Sequence, residues 1–246
     1  MTFAARVSNA VAGHVPVKPH FLRNWTGVIS FTFDDCPRTS LSVGGKILAR
    51  HDCAGTFYIA GGLTDAHEND VACHSLDDLR GALRDGHELA SHGFAHARYS
   101  RLGRIGAIDD IDRNTKFFED RIGIAKPAHF SYPFGERSVA VKRLLGKRFV
   151  TARGIRGGVN RRVADLSDLR ANALYSRTTD EAKVGALIQS VSTRSGWLIF
   201  YTHDVSPDPS PYGTTLELLD YAVRTAVESG CRVLPIRNAI GAVSYR

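Results

Sequence analysis

Val28-Ile29-Ser30-Phe31-Thr32-Phe33 is a run of β-branched and aromatic residues that stops at Asp34-Asp35. A short apolar run bounded by turn-forming residues reads as a buried strand. Seven more runs of this kind follow: Thr56–Ala60, Glu88–Ala90, Ala128–Tyr132, Phe149–Ala152, Ala171–Tyr175, Trp197–Thr202 and Cys231–Leu234. The stretches between them carry helix signals. Ser75 with Asp78 three residues on forms a capping pair, and Gly86 closes that helix. Thr214 and Glu217 repeat the pattern ahead of a stripe of Leu216, Leu219, Val223 and Ala226, which ends at Gly230. Ile108, Ile111, Thr115, Phe118 and Ile122 make another stripe. Strand and helix therefore alternate seven or eight times, which predicts a parallel sheet in an α/β fold. That many units in one chain fit a closed (β/α) barrel better than an open doubly wound sheet.

The chain has 246 residues, 43% hydrophobic and 23% charged, a composition that excludes disorder. The net charge of +7 permits an anionic partner without naming one. The densest basic stretch is Lys142, Arg143, Lys147, Arg148, Arg153, Arg156, Arg161 and Arg162. It matches no nucleic-acid-binding motif, so a solvated face and no nucleic-acid partner are expected. The four cysteines, Cys36, Cys53, Cys73 and Cys231, show no C-x-x-C spacing and read as free thiols. Met1 to Pro16 lacks the apolar core of a secretion signal, and the longest apolar run, Trp197–Tyr201, is far too short to span a membrane. A cytoplasmic protein is the expectation; the sequence sets no oligomeric state.

Residues able to do chemistry gather at the carboxyl ends of the expected strands. Asp34 and Asp35 follow the first, His92 and His96 the third, Tyr132-Pro133-Phe134-Gly135 ends the fourth, and His203-Asp204 follows the Trp197 strand. A barrel collects these ends on one face, where barrel enzymes build their sites. The i, i+4 spacing of His92 and His96 lets two imidazoles reach one ion. The zincin pattern His-Glu-x-x-His is absent, since Ser91 stands where its second histidine would be. Burying the two adjacent carboxylates without a cation would cost several kcal/mol. An ion on one of them relieves this and leaves the other as a base. One Asp and two His supply the three protein ligands of a catalytic zinc site, without identifying the metal uniquely. His51, His67, His74 and His87 have no matching partners, and Trp25 and Trp197 are expected to pack.

Thr32-Phe33-Asp34-Asp35-Cys36-Pro37 resembles the first motif of the polysaccharide deacetylases, the NodB-homology family (carbohydrate esterase family 4). Ser91-His92-Gly93-Phe94-Ala95-His96 resembles the second, Phe130-Ser131-Tyr132-Pro133-Phe134-Gly135 the third, and Leu198-Ile199-Phe200-Tyr201-Thr202-His203 the last. The resemblance divides the chain into an N-terminal extension, residues 1–25, and a NodB-like domain, residues 26–246. It implies a distorted, TIM-like (β/α) barrel of seven or eight strands and a divalent metal, usually zinc. It implies removal of an acetyl group from an N-acetylated saccharide, with a chitooligosaccharide as a fitting substrate. Hydrolysis of another non-peptide C–N bond, in a cyclic imide or a formamide, and a non-catalytic carbohydrate-binding homologue are the alternatives.

Carried over by residue, the resemblance gives Asp35, His92 and His96 to the metal, Asp34 to the general base and His203 to the general acid. Tyr132 and Phe134 fall on the oxyanion and substrate side, with the Phe134 backbone N–H as donor. Three positions depart from the pattern. Cys36 stands where the family usually has Gly, so that a thiol could narrow the mouth or approach the metal. Gly93 replaces the Ser or Thr that usually follows the first His. Ser131 stands where the third motif often begins with an Arg that orients the base, and Arg177 is the candidate replacement. Tyr212, in the loop after His203, is a candidate lining residue.

Overall fold

The run at 28–33 forms β1 (Gly27–Phe33), buried along its whole length. The computed structural model describes residues 3–23, 26–68 and 71–244 and builds an all-parallel sheet around this strand. The other members are β2 (Thr56–Ile59), β3 (Glu88–Ser91), β4 (His129–Ser131), β5 (Thr151–Arg153), β6 (Asn172–Ala173), β7 (Gly196–Thr202) and β8 (Arg232–Val233). Their order is β6-β7-β1-β2-β3-β4-β5, with β8 also paired to β1. Each expected run thus overlaps one strand of this sheet.

β7 lies along β1 in unbroken register, from Gly196 on Gly27 to Thr202 on Phe33. The other edge of β1 is shared: β8 takes Val28 and Ile29, and β2 takes Thr32 and Phe33. The sheet curls, and one segment reaches both of its ends. Leu169 bridges to Arg153 of β5, while Asn172 and Ala173 pair with Phe200 and Tyr201 of β7. The fold is a distorted TIM-like barrel rather than a regular closed one.

Alternation along β1 sorts its side chains. Ile29, Phe31 and Phe33 join Leu198 and Phe200 in the main apolar cluster under the helices. Val28 joins Trp197, Ile199, Tyr201 and Tyr58 in a second cluster. Trp197 is fully buried, and its indole N–H donates to Ser30 Oγ at 3.0 Å. It packs, as expected; Trp25 lies outside the described residues.

Eight α-helices accompany the strands among the described residues: α1 (Phe3–His14), α2 (Lys46–Arg50), α3 (Leu76–Arg84), α4 (Tyr99–Phe117), α5 (Val139–Arg148), α6 (Glu181–Arg194), α7 (Leu216–Glu228) and α8 (Ile236–Val243). α3 opens with the expected capping box between Ser75 and Asp78. On α7 the cap is Thr215, whose Oγ1 accepts from Leu218 N at 3.2 Å, one residue later than expected. Thr214 is instead buried, with its N–H on Asp204 O. On α4 the buried face is Ala107, Asp110, Ile111 and Asn114, turned by about one residue from the expected stripe. Asp110 and Asn114 face inward because each accepts from a loop N–H beside the strand ends, Phe94 N and Gly61 N.

The basic stretch is not uniformly solvated. Lys142 and Arg153 are buried to 1% and 0% exposure. Lys142 Nζ donates to the carbonyls of Ala12 and Val15 at 2.7 and 2.8 Å and pairs with Asp165 at 2.8 Å. These partners offset the desolvation of its ammonium and hold the end of α1 against α5. No helix among the described residues is long and apolar enough to cross a membrane.

Candidate active site

Asp34 continues β1 by one residue, its N–H donating to Thr202 O at 2.9 Å. The chain then turns sharply, with φ of 58° at Asp35 and 53° at Cys36. Left-handed backbone at residues carrying a Cβ is unfavourable and marks functional turns. Buried His74 holds this one, its Nδ1 bonded to Cys36 O and its Nε2 to Thr64 Oγ1, both at 3.1 Å. The Cys36 thiol points away from the mouth and donates to Tyr58 O at 3.4 Å. Burial, then the Asp34 and Asp35 charges, push this thiol well above its usual range. It neither narrows the opening nor offers a thiolate.

The loop after β3 is fixed from α4. Asp110 accepts from Phe94 N at 2.9 Å, Ala95 N at 2.8 Å and the Tyr99 hydroxyl at 2.7 Å. Gly93 adopts φ +74°, and a Cβ there would meet Asp110 Oδ2 at 2.4 Å and the Tyr99 hydroxyl at 2.8 Å. Asp110 therefore does the loop-fixing that a hydroxyl at position 93 would otherwise do, and it needs the space.

This loop aims His92 and His96 at Asp35. His92 Nδ1 bonds Ser131 O at 2.9 Å, and His96 Nδ1 bonds Glu68 Oε1 at 2.7 Å. With carbonyl and carboxylate acceptors at Nδ1, each ring leaves Nε2 facing the site; the tautomers follow from these partners. The Nε2 atoms stand 3.2 and 2.9 Å from Asp35 Oδ1. Donor atoms of Asp35, His92 and His96 all lie within 4.8 Å of one another. With both rings neutral and their protons on Nδ1, the buried Asp35 Oδ1 has no hydrogen-bond donor. A buried orphan carboxylate oxygen between two imidazole nitrogens calls for positive charge. Burial alone would lower the pKa of His96, yet Asp35 and Glu68 together raise it to about 10. The residues fit a divalent cation, with two borderline nitrogen ligands and one hard oxygen. Glu68 belongs to a short antiparallel pair, His67–Glu68 with Val71–Ala72, and the sequence reading missed it.

Asp34 is 4% exposed and lies on the other side of the turn. Its Oδ1 accepts from Arg153 Nη2 and, at 3.3 Å, from Ser131 Oγ. Burial pushes its carboxyl up, but the charge of Arg153, those of His92 and His203 and the Arg153 hydrogen bond together hold it below the ordinary carboxylate value. Arg177 is not this cation: it is exposed, in the turn beyond β6. Arg153, which sequence patterning placed on a solvated face, occupies the position.

His203 lies across the site, its Nε2 3.5 Å from Asp35 Oδ2 and its Nδ1 3.1 Å from Tyr212 O. The rings of Tyr175 and Tyr212 flank it at 5.8 and 5.7 Å, and Tyr212 is 58% exposed at the rim. Phe134, at φ 58°, stacks on His96 with centroids 4.5 Å apart. The Arg98 guanidinium lies 3.9 Å from the same centroid. The Tyr132 side chain, expected on the substrate side, is instead part of the core. It is 1% exposed, packs edge-on against Phe130, and donates its hydroxyl to Ser167 O at 2.7 Å. Strand alternation turns it away from the loop that follows.

The site is thus an orphan carboxylate with two imidazoles, flanked by a clamped carboxylate on one side and a third imidazole on the other. The fold recurs in solved structures. A family 4 acetyl xylan esterase from Clostridium thermocellum, in complex with a cobalt ion, is 21% identical, with 87% of this chain and 91% of that one covered at a TM-score of 0.61. The Bc1960 peptidoglycan N-acetylglucosamine deacetylase is 14% identical, with coverage of 89% and 90% and a TM-score of 0.62. BA3943, a CE4 family pseudoenzyme from Bacillus anthracis, is 17% identical, with coverage of 89% and 67% and a TM-score of 0.59. No curated protein matches the chain by sequence. The family model for polysaccharide deacetylase matches residues 24–151, just over half of the chain, and that span holds the first three motifs. On this match, the chain belongs to the polysaccharide deacetylase family.

Proposed function

We propose that the protein is a divalent-metal-dependent hydrolase that removes the acetyl group from an N-acetylated saccharide. The observation that carries this is the orphaned Asp35 Oδ1 between two Nε2 atoms, with Asp34 and His203 on opposite flanks. A divalent cation, zinc by preference, held by Asp35, His92 and His96 would polarise the acyl carbonyl and make water reactive near neutral pH. Asp34, kept ionised and oriented by Arg153, accepts the water proton. The Phe134 backbone N–H donates to the oxygen that gains charge, a contribution of roughly 3–4 kcal/mol for one such donor. His203, with Nδ1 committed to Tyr212 O, carries its transferable proton on Nε2 and delivers it to the departing amine, which cannot leave as an anion.

The cobalt ion in the esterase and the acetylated amino sugar named for Bc1960 support this metal and substrate class. An orienting arginine absent from position 131 would favour a different C–N bond, such as a cyclic imide; Arg153 at Asp34 takes that motive away. A base and an acid in place speak against a pseudoenzyme like BA3943. Zinc-loaded protein should release acetate from N-acetylglucosamine oligomers or peptidoglycan fragments, and a chelator should stop it. Acetate release unaffected by chelation, or turnover of cyclic imides alone, would overturn the reading.

A further inference from the structure

Arg153 ends β5, and its sheet partner across the ladder is Ser131 of β4. Ser131 is the position where the family's third motif often carries the base-orienting arginine. The two residues therefore stand at the same height on neighbouring strands. The Arg153 guanidinium is fully buried and held on several sides. Nη1 donates to Gly154 O at 2.9 Å, and its Cζ lies 5.1 Å from the Tyr58 ring centroid and 5.0 Å from that of Tyr201. Nη2 donates both to Asp34 Oδ1 and, at 2.5 Å, to Ser131 Oγ, and that hydroxyl donates in turn to Asp34. A guanidinium fixed between two aromatic rings has little freedom left, so the carboxylate it grips is held in one orientation.

We propose that Arg153 is a positioning residue for Asp34, supplied from the neighbouring strand in place of an arginine at position 131, with the small Ser131 as the link between them. The serine is then a fitted part of the arrangement: it leaves room for a guanidinium arriving from the side and passes a second hydrogen bond to the base. The proposal rests on Asp34 acting as the base.

The test is an exchange of positions. Arg153→Met keeps most of the volume and removes the fork. It should lower kcat roughly 10–100-fold, as loss of a supporting partner typically does, while KM and zinc affinity stay within about twofold. Adding Ser131→Arg to Arg153→Met should recover at least about tenfold of that loss, because the new guanidinium approaches Asp34 from the adjacent strand. A kcat for Arg153→Met within about twofold of wild type would overturn the proposal. So would a folded, zinc-loaded double variant no faster than the single one. If Arg153→Met does not fold, the double variant and Arg153→Lys carry the test: the double must turn over faster than the lysine variant, and the reverse order refutes the exchange. Crystal structures of the folded variants give a readout that needs no substrate. Asp34 should swing away from Ser131 in the variant lacking the arginine and return in the double; an unmoved Asp34 sinks the proposal. Wild-type protein inert toward every acetylated saccharide would defeat the functional reading, while the position of Asp34 would still decide the role of Arg153.

Discussion

Gly93→Ser would bring the second motif closer to the family pattern, yet it should damage this protein. A side chain at φ +74° costs about 1–2 kcal/mol for the left-handed backbone. The new Cβ would sit 2.4 Å from Asp110 Oδ2 and 2.8 Å from the Tyr99 hydroxyl, so something must move. The movable group is the Asp110 carboxylate, which holds Phe94 N, Ala95 N and Tyr99. Losing one of those charge-assisted bonds costs roughly 1.5–3 kcal/mol. Together the two effects come to about 2.5–5 kcal/mol, a large share of a domain's stability. Gly93→Ala should do nearly as much, because the Cβ and not the hydroxyl makes the clash. Urea unfolding reads the loss directly, and chelator competition should show weaker zinc binding, since His92 and His96 sit on that loop. Combined with Asp110→Ala, the two losses should be less than additive. A Gly93→Ser protein within about 0.5 kcal/mol of wild type, with unchanged zinc affinity, would refute this account of the loop.

Glu68→Gln keeps an acceptor on His96 Nδ1 but removes its charge, and zinc affinity should fall by roughly tenfold or more; less than a twofold change in competition with a chromogenic chelator would remove Glu68 from the metal centre. In the metal-free chain His96 keeps its proton up to about pH 10, so zinc uptake at pH 8 should expel about one proton. Calorimetry in buffers of different ionisation enthalpy counts it, and a count near zero contradicts the geometry around Asp35. Asp34 must be ionised to act, and its pKa is held below the ordinary carboxylate value. Its ionised form therefore persists as pH falls, and the acidic limb of kcat/KM should not lie above the normal carboxylate range while zinc stays bound. Tyr132→Phe removes the bond to Ser167 O and should cost about 1 kcal/mol of stability with kcat unchanged; a tenfold fall in kcat would return Tyr132 to the substrate side.

What could be read from the chain beforehand was whatever depends on neighbours along it. The strands showed because β-branched and aromatic runs at 28–33 and 197–202 announce burial without any knowledge of what covers them. The Ser75 cap is local chemistry, and the clustering of Asp35, His92 and His96 followed from strand ends sharing one face. The misreadings involve contacts between distant segments. Arg153 looked like one basic residue among eight, and partners brought in from other strands, Tyr58, Tyr201, Ser131 and Asp34, make its burial tolerable. Glu68 sits in a stretch with no periodicity, and its pairing with His96 depends on where a two-residue strand lands. At Tyr132 the error was one of phase, since a single step at a strand end decides between core and cleft. At Thr214 and Thr215 two equivalent caps stand side by side, and only the first turn of α7 chooses between them.

The seven-residue ladder between β1 and β7 joins parts of the chain that a ribosome delivers far apart in time. Phe31 and Phe33 emerge with β1, but the strand that covers one edge of them, β7, begins only at Gly196, far later in the chain than Gly27. Until then these rings must be shielded some other way, and closing so long a loop is slow for entropic reasons. Refolding should accordingly be slow and prone to aggregation at high protein concentration, with the metal centre among the last parts to take shape.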